Sequence, residues 1–241
     1  MNTETHRLLD SNEPLCHAST ALSDLIEASP YPTHLADAQT GQYICCNSEF
    51  SDYIGIPIKD ICGLTVETCF NQRQWEEKAK TDLFHWWRET EPENLRRFDE
   101  EVQKTHQRIQ KQRLSIRSTG LILFKETAKT PVLSRDRKTV IAILTQSRDI
   151  TLHCNLFDLL DTYQRYYADQ AAVQNMLITL DIDGYFDKLP TLEEMKVLLA
   201  LRDGRSEDEA SRHIRSRQER MSVDDWHEML TRLRMMPLDA H

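Results

Sequence analysis

The chain has 241 residues, of which 39% are hydrophobic and 29% charged, with a formal net charge of −9. A chain of this size buries one good core and a second small one. Its negative charge excludes nucleic-acid binding by overall attraction to phosphate, so only a local basic patch is left as a route to DNA. No apolar run reaches the roughly 18 residues of a membrane span, and the opening MNTETHRLLDSNEP lacks the apolar centre of a signal peptide. The expectation is a cytoplasmic protein with no membrane partner.

Six cysteines (Cys16, Cys45, Cys46, Cys62, Cys69 and Cys154) show no C-x-x-C spacing and no clustered histidines. They read as buried, inert thiols rather than disulfides or metal ligands, with Cys45-Cys46 as a weak redox candidate. The chain offers no candidate metal site.

Residues 1–20 read as a lead-in. From Ala21 the pattern LSDLIEASPYP gives one or two helical turns stopped by Pro30 and Pro32. Thr33 to Ala38 and Gln42 to Cys46 read as strands joined by a turn at Thr40-Gly41. Short helices follow over Ser48 to Ile54 and Ile58 to Cys62, ended by Gly55 and Gly63. Asn71 to Gln110 is helical and strongly charged, with Pro92 dividing it. Three strands come next: Arg113 to Arg117, Leu121 to Thr127 with an extension toward Leu133, and Val140 to Ser147. The turns between them suit an antiparallel meander.

From Leu152 to Thr179, Leu152, Leu156, Leu159, Tyr163, Tyr166 or Tyr167, Val173 and Leu177 recur at three- and four-residue steps. The pattern predicts one long amphipathic helix, its stripe being either a dimer seam or a face lying on the preceding sheet. Thr191 to Ile214 then reads as two short helices broken at Asp203-Gly204, with Ser206 and Glu209 placed for a capping box. Helix-turn-helix and plain helical hairpin are both open readings of that segment. No nucleophile–base pair, paired carboxylates or phosphate-cradling glycine loop stands out, so an enzyme is not expected.

The order of elements from Leu22 to Thr151 resembles a PAS domain. The resemblance is carried by ASPYPTHLADAQTG, Asn47, IGIPIKDICG, RFDEEVQKT and the closing SRDIT from Ser147 to Thr151. It implies a five-stranded antiparallel sheet whose concave face, covered by helices, holds a small molecule or cofactor. His34, Asn47, Phe50, Trp75, Phe84 and Trp86 are the candidate pocket residues, and core packing is the alternative reading of the aromatics. The cofactor stays unknown. Flavin-bonding PAS domains carry a cysteine where this chain has Val66, which argues against flavin. The haem candidates His106 and His85 read as an exposed histidine and a packing histidine.

The last fifty residues resemble the LuxR-type (GerE-like) helix-turn-helix. Thr191, Glu194, Val197, Leu198, Gly204, Ser206, Glu209 and Ala210 fit its first half, while Ser222, Val223, Met229, Leu230 and Leu233 fit its second half loosely. The family's reading helix offers Lys, Thr and His, but here that stretch carries Asp224, Asp225 and Glu228. From Leu189 to His241, nine basic residues stand against eleven acidic ones. The cluster Arg212, His213, Arg215, Arg217 and Arg220, with Ser222, is the candidate DNA contact. A solvated helix end is the alternative.

The expected fold class is therefore α+β. A PAS-like sensor spans residues 21–151, a connecting helix 152–180, and a small all-α helix-turn-helix bundle 189–236. The resemblance implies a transcription regulator that senses a small-molecule or protein signal and binds DNA, as a homodimer. The alternative is a signalling or scaffold protein whose degenerate helix-turn-helix binds protein.

Overall fold

The computed structural model describes residues 20–73, 82–117, 119–186 and 188–202. Those residues fall into two compact units. One holds the described parts of 20–75, 85–118 and 125–148; the other holds those of 76–84, 119–124 and 149–202.

In the first unit, α1 (Thr20–Glu27) precedes β1 (Thr33–Asp37) and β2 (Tyr43–Cys46), then α2 (Ser48–Ile54), α3 (Ile58–Ile61) and α4 (Val66–Gln72). The long α5 (Asp82–Thr105) follows, and then β3 (Ile109–Ile116), β4 (Ile122–Leu133) and β5 (Val140–Asp149). The strands form one five-stranded sheet in the order β2-β1-β5-β4-β3. β1 runs antiparallel to both β2 and β5, and the short links on either side of β4 allow only hairpins. The architecture is α+β, a five-stranded antiparallel sheet with covering helices.

Local chemistry sets these boundaries. The Asn47 carboxamide oxygen accepts the Phe50 N–H at 3.0 Å and caps α2, and Gly55 at φ 72° ends it. Thr65 and Thr68 form a reciprocal capping box that opens α4. The exposed edge of β2 is closed by residues just beyond α3: the Gly63 N–H donates to the Tyr43 carbonyl, and the Tyr43 N–H to the Leu64 carbonyl, each at 2.8 Å.

The two faces of the sheet are covered differently. On one face α1 lays Leu22 and Ile26 over Leu35, Ala142, Leu144 and Val132, an apolar seal. On the other, Tyr43, Cys46, Phe50, Ile54, Ile56, Ile61 and Cys69 form a cluster at one end. Phe98, Val102, Val140 and Ile143 form a second cluster. Cys46 and Cys69 are thus core groups, and burial pushes both thiols up to about 12. Cys62 departs from the expectation and is exposed, while Cys16 lies outside the described residues.

Pro92 does not divide the long helix: it lies inside a continuous α5. α5 ends where His106 takes a left-handed φ of 56°, a conformation that favours glycine. His106 itself is exposed.

The second unit corrects the single long helix expected over Leu152–Thr179. A 3-10 turn (Thr151–His153) leads to α6 (Leu156–Tyr166) and α7 (Asp169–Thr179), two helices that pack on each other. Asn155 caps α6, accepting from the N–H groups of Phe157 and Asp158. The break at Tyr167-Ala168 contains no glycine or proline. Tyr167 instead leaves the helix in an extended conformation and donates its hydroxyl to the Gly120 carbonyl at 2.5 Å. Tyr163 sits beside it, its oxygen accepting the Ile122 N–H at 3.0 Å and lying 2.6 Å from Thr179 Oγ1.

Of the stripe residues, Leu156, Leu159, Tyr163, Tyr167, Val173 and Leu177 are buried within the chain and offer no exposed seam, while Leu152 is 44% exposed. Asp149 closes this region by accepting the Thr151 N–H and hydroxyl, while Thr151 Oγ1 accepts the Phe124 N–H at 2.9 Å. This gives the Asp and Thr of the SRDIT tail a structural role.

α8 (Leu192–Arg202) packs against α6 and α7 through a face that includes buried Met195, Leu198 and Leu199. A capping box opens it. Glu194 accepts the Thr191 N–H at 2.7 Å, and Thr191 Oγ1 accepts the Glu194 N–H at 3.3 Å. The remainder of the expected helix-turn-helix lies outside the described residues.

Candidate functional site

The second face of the sheet holds a cavity of about 330 Å³. Its floor follows from the two-residue period of strands, which puts alternate side chains on one face. β1 contributes His34 and Ala36, β3 Arg113 and Ser115, β4 Lys125, Thr127 and Lys129, and β5 Ile143, Thr145 and Ser147. α5 covers them with Glu91, Leu95 and Asp99, while α2 and α4 supply Phe50, Tyr53 and Cys69, with Arg73 just beyond.

One wall is aromatic. The His34 ring lies 4.8 Å from Tyr43 and 4.3 Å from Phe50, and Tyr43 and Phe50 are 5.4 Å apart, centroid to centroid. His34 Nδ1 is sealed from solvent without a hydrogen-bond partner. Burial first, then the charges of Lys129 and Lys125, push the imidazole down to about 3, so it is neutral at physiological pH. Desolvation likewise holds the Tyr43 phenol well above its ordinary range.

The opposite wall is charged. Lys129 is 3% exposed, and its ammonium contacts Asp99 at 2.5 Å and the Leu95 carbonyl at 3.3 Å. Arg113 pairs with Glu91. Arg73 donates to the Tyr53 carbonyl at 2.7 Å, with its guanidinium 5.2 Å from the Tyr53 ring. Lys125, 4% exposed, places its ammonium 3.0 Å from the centre of that ring.

Tyr53 is thus surrounded by cations, and its hydroxyl bonds the Ser115 hydroxyl. Burial opposes ionisation of the phenol, but Lys125, Arg73, the Ser115 bond and Arg113 outweigh it and bring the phenol down to about 7. Desolvation lowers Arg73, Arg113 and Lys129 and raises Asp99, which records how far these charges stand from water.

Of the residues named as pocket candidates, His34 and Phe50 line the cavity together. Asn47 is buried but committed to structure. Its amide donates to the carbonyls of Ser29 and Tyr31 at 3.0 and 2.8 Å, and its oxygen accepts the Thr33 and Phe50 N–H groups. Phe84 is fully buried away from the cavity lining, Trp86 is 59% exposed and outside it, and Trp75 lies outside the described residues. Trp87 packs against Phe70, centroids 5.7 Å apart. Arg212, His213, Arg215, Arg217, Arg220 and Ser222 also lie outside the described residues.

Sequence reasoning missed Tyr53, Arg73, Arg113, Lys125 and Lys129. The signal was present in β4, where Lys125, Thr127 and Lys129 recur at every second residue. No His, Cys, Asp and Glu cluster among the described residues is arranged to hold a metal ion, and no described helix is long and apolar enough to cross a membrane.

No protein-family model matches the chain, and no curated protein does. Among solved structures, the chain is similar to the PAS domain of Bordetella pertussis BvgS, at 16% identity over 60% of this chain and 93% of that one, TM-score 0.43. It is also similar to VqmA of Vibrio cholera in its ligand–DNA complex, at 14% identity over 92% of this chain and 90% of that one, TM-score 0.47. A third is the PAS domain of a LuxR-family transcriptional regulator from Burkholderia thailandensis, at 14% identity over 53% and 95%, TM-score 0.33.

Proposed function

We propose that the protein is a non-enzymatic, small-molecule-sensing transcription regulator. The PAS-like unit takes a ligand, and a LuxR-type helix-turn-helix over residues 189–236 binds DNA in a homodimer. The observation that carries the sensing half is the cavity itself. It gathers buried ionisable groups that cost free energy to desolvate and that an apolar filling would spare. Perturbed titratable groups converging on a cavity are the physical signature of a binding site.

The DNA-binding half rests on sequence. The capping box at Thr191 and Glu194 opens a helix that buries Met195, Leu198 and Leu199, and in sequence Gly204, the Ser206–Ala210 run and the arginines at 212–220 follow it. That cluster is suited to phosphate contact and to orienting the helix after it.

A second reading is favoured by the acid excess of the C-terminal segment and by Asp224, Asp225 and Glu228 in the stretch that corresponds to the family's reading helix. Phosphate repels such a surface, and a protein partner does not.

Selection from random duplex DNA at low salt with the full-length protein separates the two. Enrichment of a common sequence, lost when Arg212, Arg215, Arg217 and Arg220 are changed together to alanine, supports the regulator. No enrichment overturns the DNA-binding half and leaves the protein-binding bundle.

A further inference from the structure

We propose that Cys62 and Cys45 form a thiol-oxidation site, in which Cys62 is oxidised first and Cys45 closes a disulfide with it. The site stands apart from the sensing reading and needs no ligand in the cavity.

A bulge in β2 creates the arrangement. β1 pairs Ala36 with Tyr43 and Leu35 with Cys45, which leaves Ile44 without a partner across the strand. The extra residue puts Ile44 and Cys45 both on the α1 side of the sheet, while Cys46 returns to the core on the other side. The Ile44 carbonyl accepts the Cys62 thiol, whose sulfur stands 3.3 Å away. That oxygen and Cys45 Cα belong to one trans peptide unit and are about 2.8 Å apart by standard covalent geometry. The Cys62 sulfur is therefore within about 6 Å of Cys45 Cα.

A disulfide asks for Cα atoms about 4.4–6.8 Å apart. The backbone of Gly63 and Leu64 bonds Tyr43 at 2.8 Å on both sides, which holds the segment after α3 along the edge of β2. Neighbouring strands lie about 4.8 Å apart, so Cys62 sits beside β2 at the spacing a disulfide bridges. Rotation about the two Cα–Cβ bonds is the motion that joins the sulfurs.

The cysteines differ in reach. Cys62 is exposed and Cys45 half-buried, while Cys46 and Cys69 lie in the core. Burial, then the neighbouring Cys62, pushes Cys45 up to about 11, and burial pushes Cys46 up to about 12. Neither is a ready thiolate at neutral pH, so among the described cysteines an oxidant in solution meets Cys62 first. The adjacent Cys45-Cys46 is the poorer couple, because its two thiols face opposite sides of the sheet.

The oxidant is a peroxide. The Cys62 sulfur attacks one peroxide oxygen and the O–O bond breaks. Cys62 becomes a sulfenic acid, and the second oxygen leaves as water with the thiol proton. The Cys45 sulfur then bonds the Cys62 sulfur, the S–O bond breaks, and hydroxide leaves as water with the Cys45 proton. Two electrons pass from the thiols to the peroxide, and a dithiol reductant reverses the link. The closed loop spans residues 45–62 and holds α2 and α3, and α2 carries Phe50, Tyr53 and Ile54 into the cavity lining. Oxidation braces those helices against β2.

The test oxidises the folded, full-length protein with hydrogen peroxide, blocks the remaining thiols and maps tryptic peptides by mass spectrometry. Cleavage after Lys59 separates the two cysteines, and fragmentation between Cys45 and Cys46 assigns the partner. The expected product joins Cys45 to Cys62 within one chain with the loss of two hydrogens, and dithiothreitol restores both thiols. In Cys45→Ser the link should be lost, and dimedone should trap Cys62 as a sulfenic acid several-fold more than in the wild type. Cys46→Ser should keep the link. Amide hydrogen exchange over residues 47–61 should slow several-fold in the oxidised wild type.

Cys62 left unlinked, or joined to Cys46, Cys69 or a second chain, overturns the proposal. Exchange over 47–61 unchanged by the link overturns the bracing of α2 and α3. The wild-type peptide map decides the first question even where a variant does not fold.

Discussion

β4 carries two opposite solutions to burying polar groups, a few residues apart. At its start, Ile122 is fully buried and its N–H is received by Tyr163, beside the Tyr167–Gly120 bond. Further along, Lys125 and Lys129 bury charges among Tyr53, Asp99 and Phe98. Tyr163 and Tyr167 of the second unit are hydrogen-bonded and packed, as a structural core requires. Tyr53 is instead poised to ionise. The same residue type is held by hydrogen bonds and packing in one place and by surrounding cations in the other.

The sharpest way to break the contrast is Tyr163→Ala. It removes a fully buried ring and leaves the Ile122 N–H without its partner, so chemical denaturation should show a loss of about 4 kcal/mol. Tyr163→Phe, which keeps the ring, should lose about 1–2 kcal/mol. If Tyr163→Ala cost no more than Tyr53→Ala, the division into structural and functional tyrosines would collapse.

Asn47→Ala comes next and tests the distinction inside the first unit. Asn47 makes four hydrogen bonds that tie the segment before β1 to the start of α2. Losing them should cost roughly 2–3 kcal/mol. Ligand affinity should be unchanged where the protein remains folded. Weaker binding in a folded variant would return Asn47 to the site.

The strand and short-helix pattern of the first unit was legible because turns, caps and two-residue alternation are local signals. Gly55, Gly63, the prolines near residue 31 and the Thr40-Gly41 turn each mark a boundary that the backbone respects. The break at Tyr167-Ala168 was not legible. Nothing local forbids a helix there, and the three- and four-residue spacing of apolar residues continues across it. What ends α6 is a distant partner, the Gly120 carbonyl, together with the burial of both helices by their neighbours.

The site was half legible. Aromatic content pointed to His34 and Phe50, but equally to Phe84 and Trp86, because hydrophobicity does not say which cavity, core or surface a ring reaches. The basic wall was overlooked for the opposite reason: lysines on a strand are ordinarily solvated. Only the pairing order β5-β4-β3 and the position of α5 show that Lys125 and Lys129 point inward.

His34→Phe tests the neutral side of the cavity while keeping a ring against Tyr43 and Phe50. In the unfolded chain the imidazole takes up a proton below its ordinary value of 6.5, while the folded chain does not until about 3. The unfolded state therefore binds more protons in that window, and stability falls as pH falls through it. Discounted for the partial exposure of His34, the loss should be about 1–2 kcal/mol by pH 4.5, relative to neutral pH. Comparing denaturation midpoints at the two pH values should show a smaller acid loss in His34→Phe. An identical loss would place the acid-sensitive group elsewhere.

Lys125→Met has the smallest expected effect on stability and the most specific signature. It deletes the first of the cations that bring the Tyr53 phenol to about 7, so the phenol should titrate higher, toward its ordinary value of 10. In the wild type a folded-state value below the unfolded one means that ionised Tyr53 stabilises the fold. That contribution is complete above about pH 10 and is lost as pH falls through about 7. The wild type should therefore gain stability relative to Tyr53→Phe between those values, and Lys125→Met should gain less. Tyrosinate absorbance followed against pH reads the shift directly. A midpoint that stays near 7 without Lys125 would assign the field to Arg73 and Arg113, and would move the cationic centre of the cavity from β4 to the other side of Tyr53.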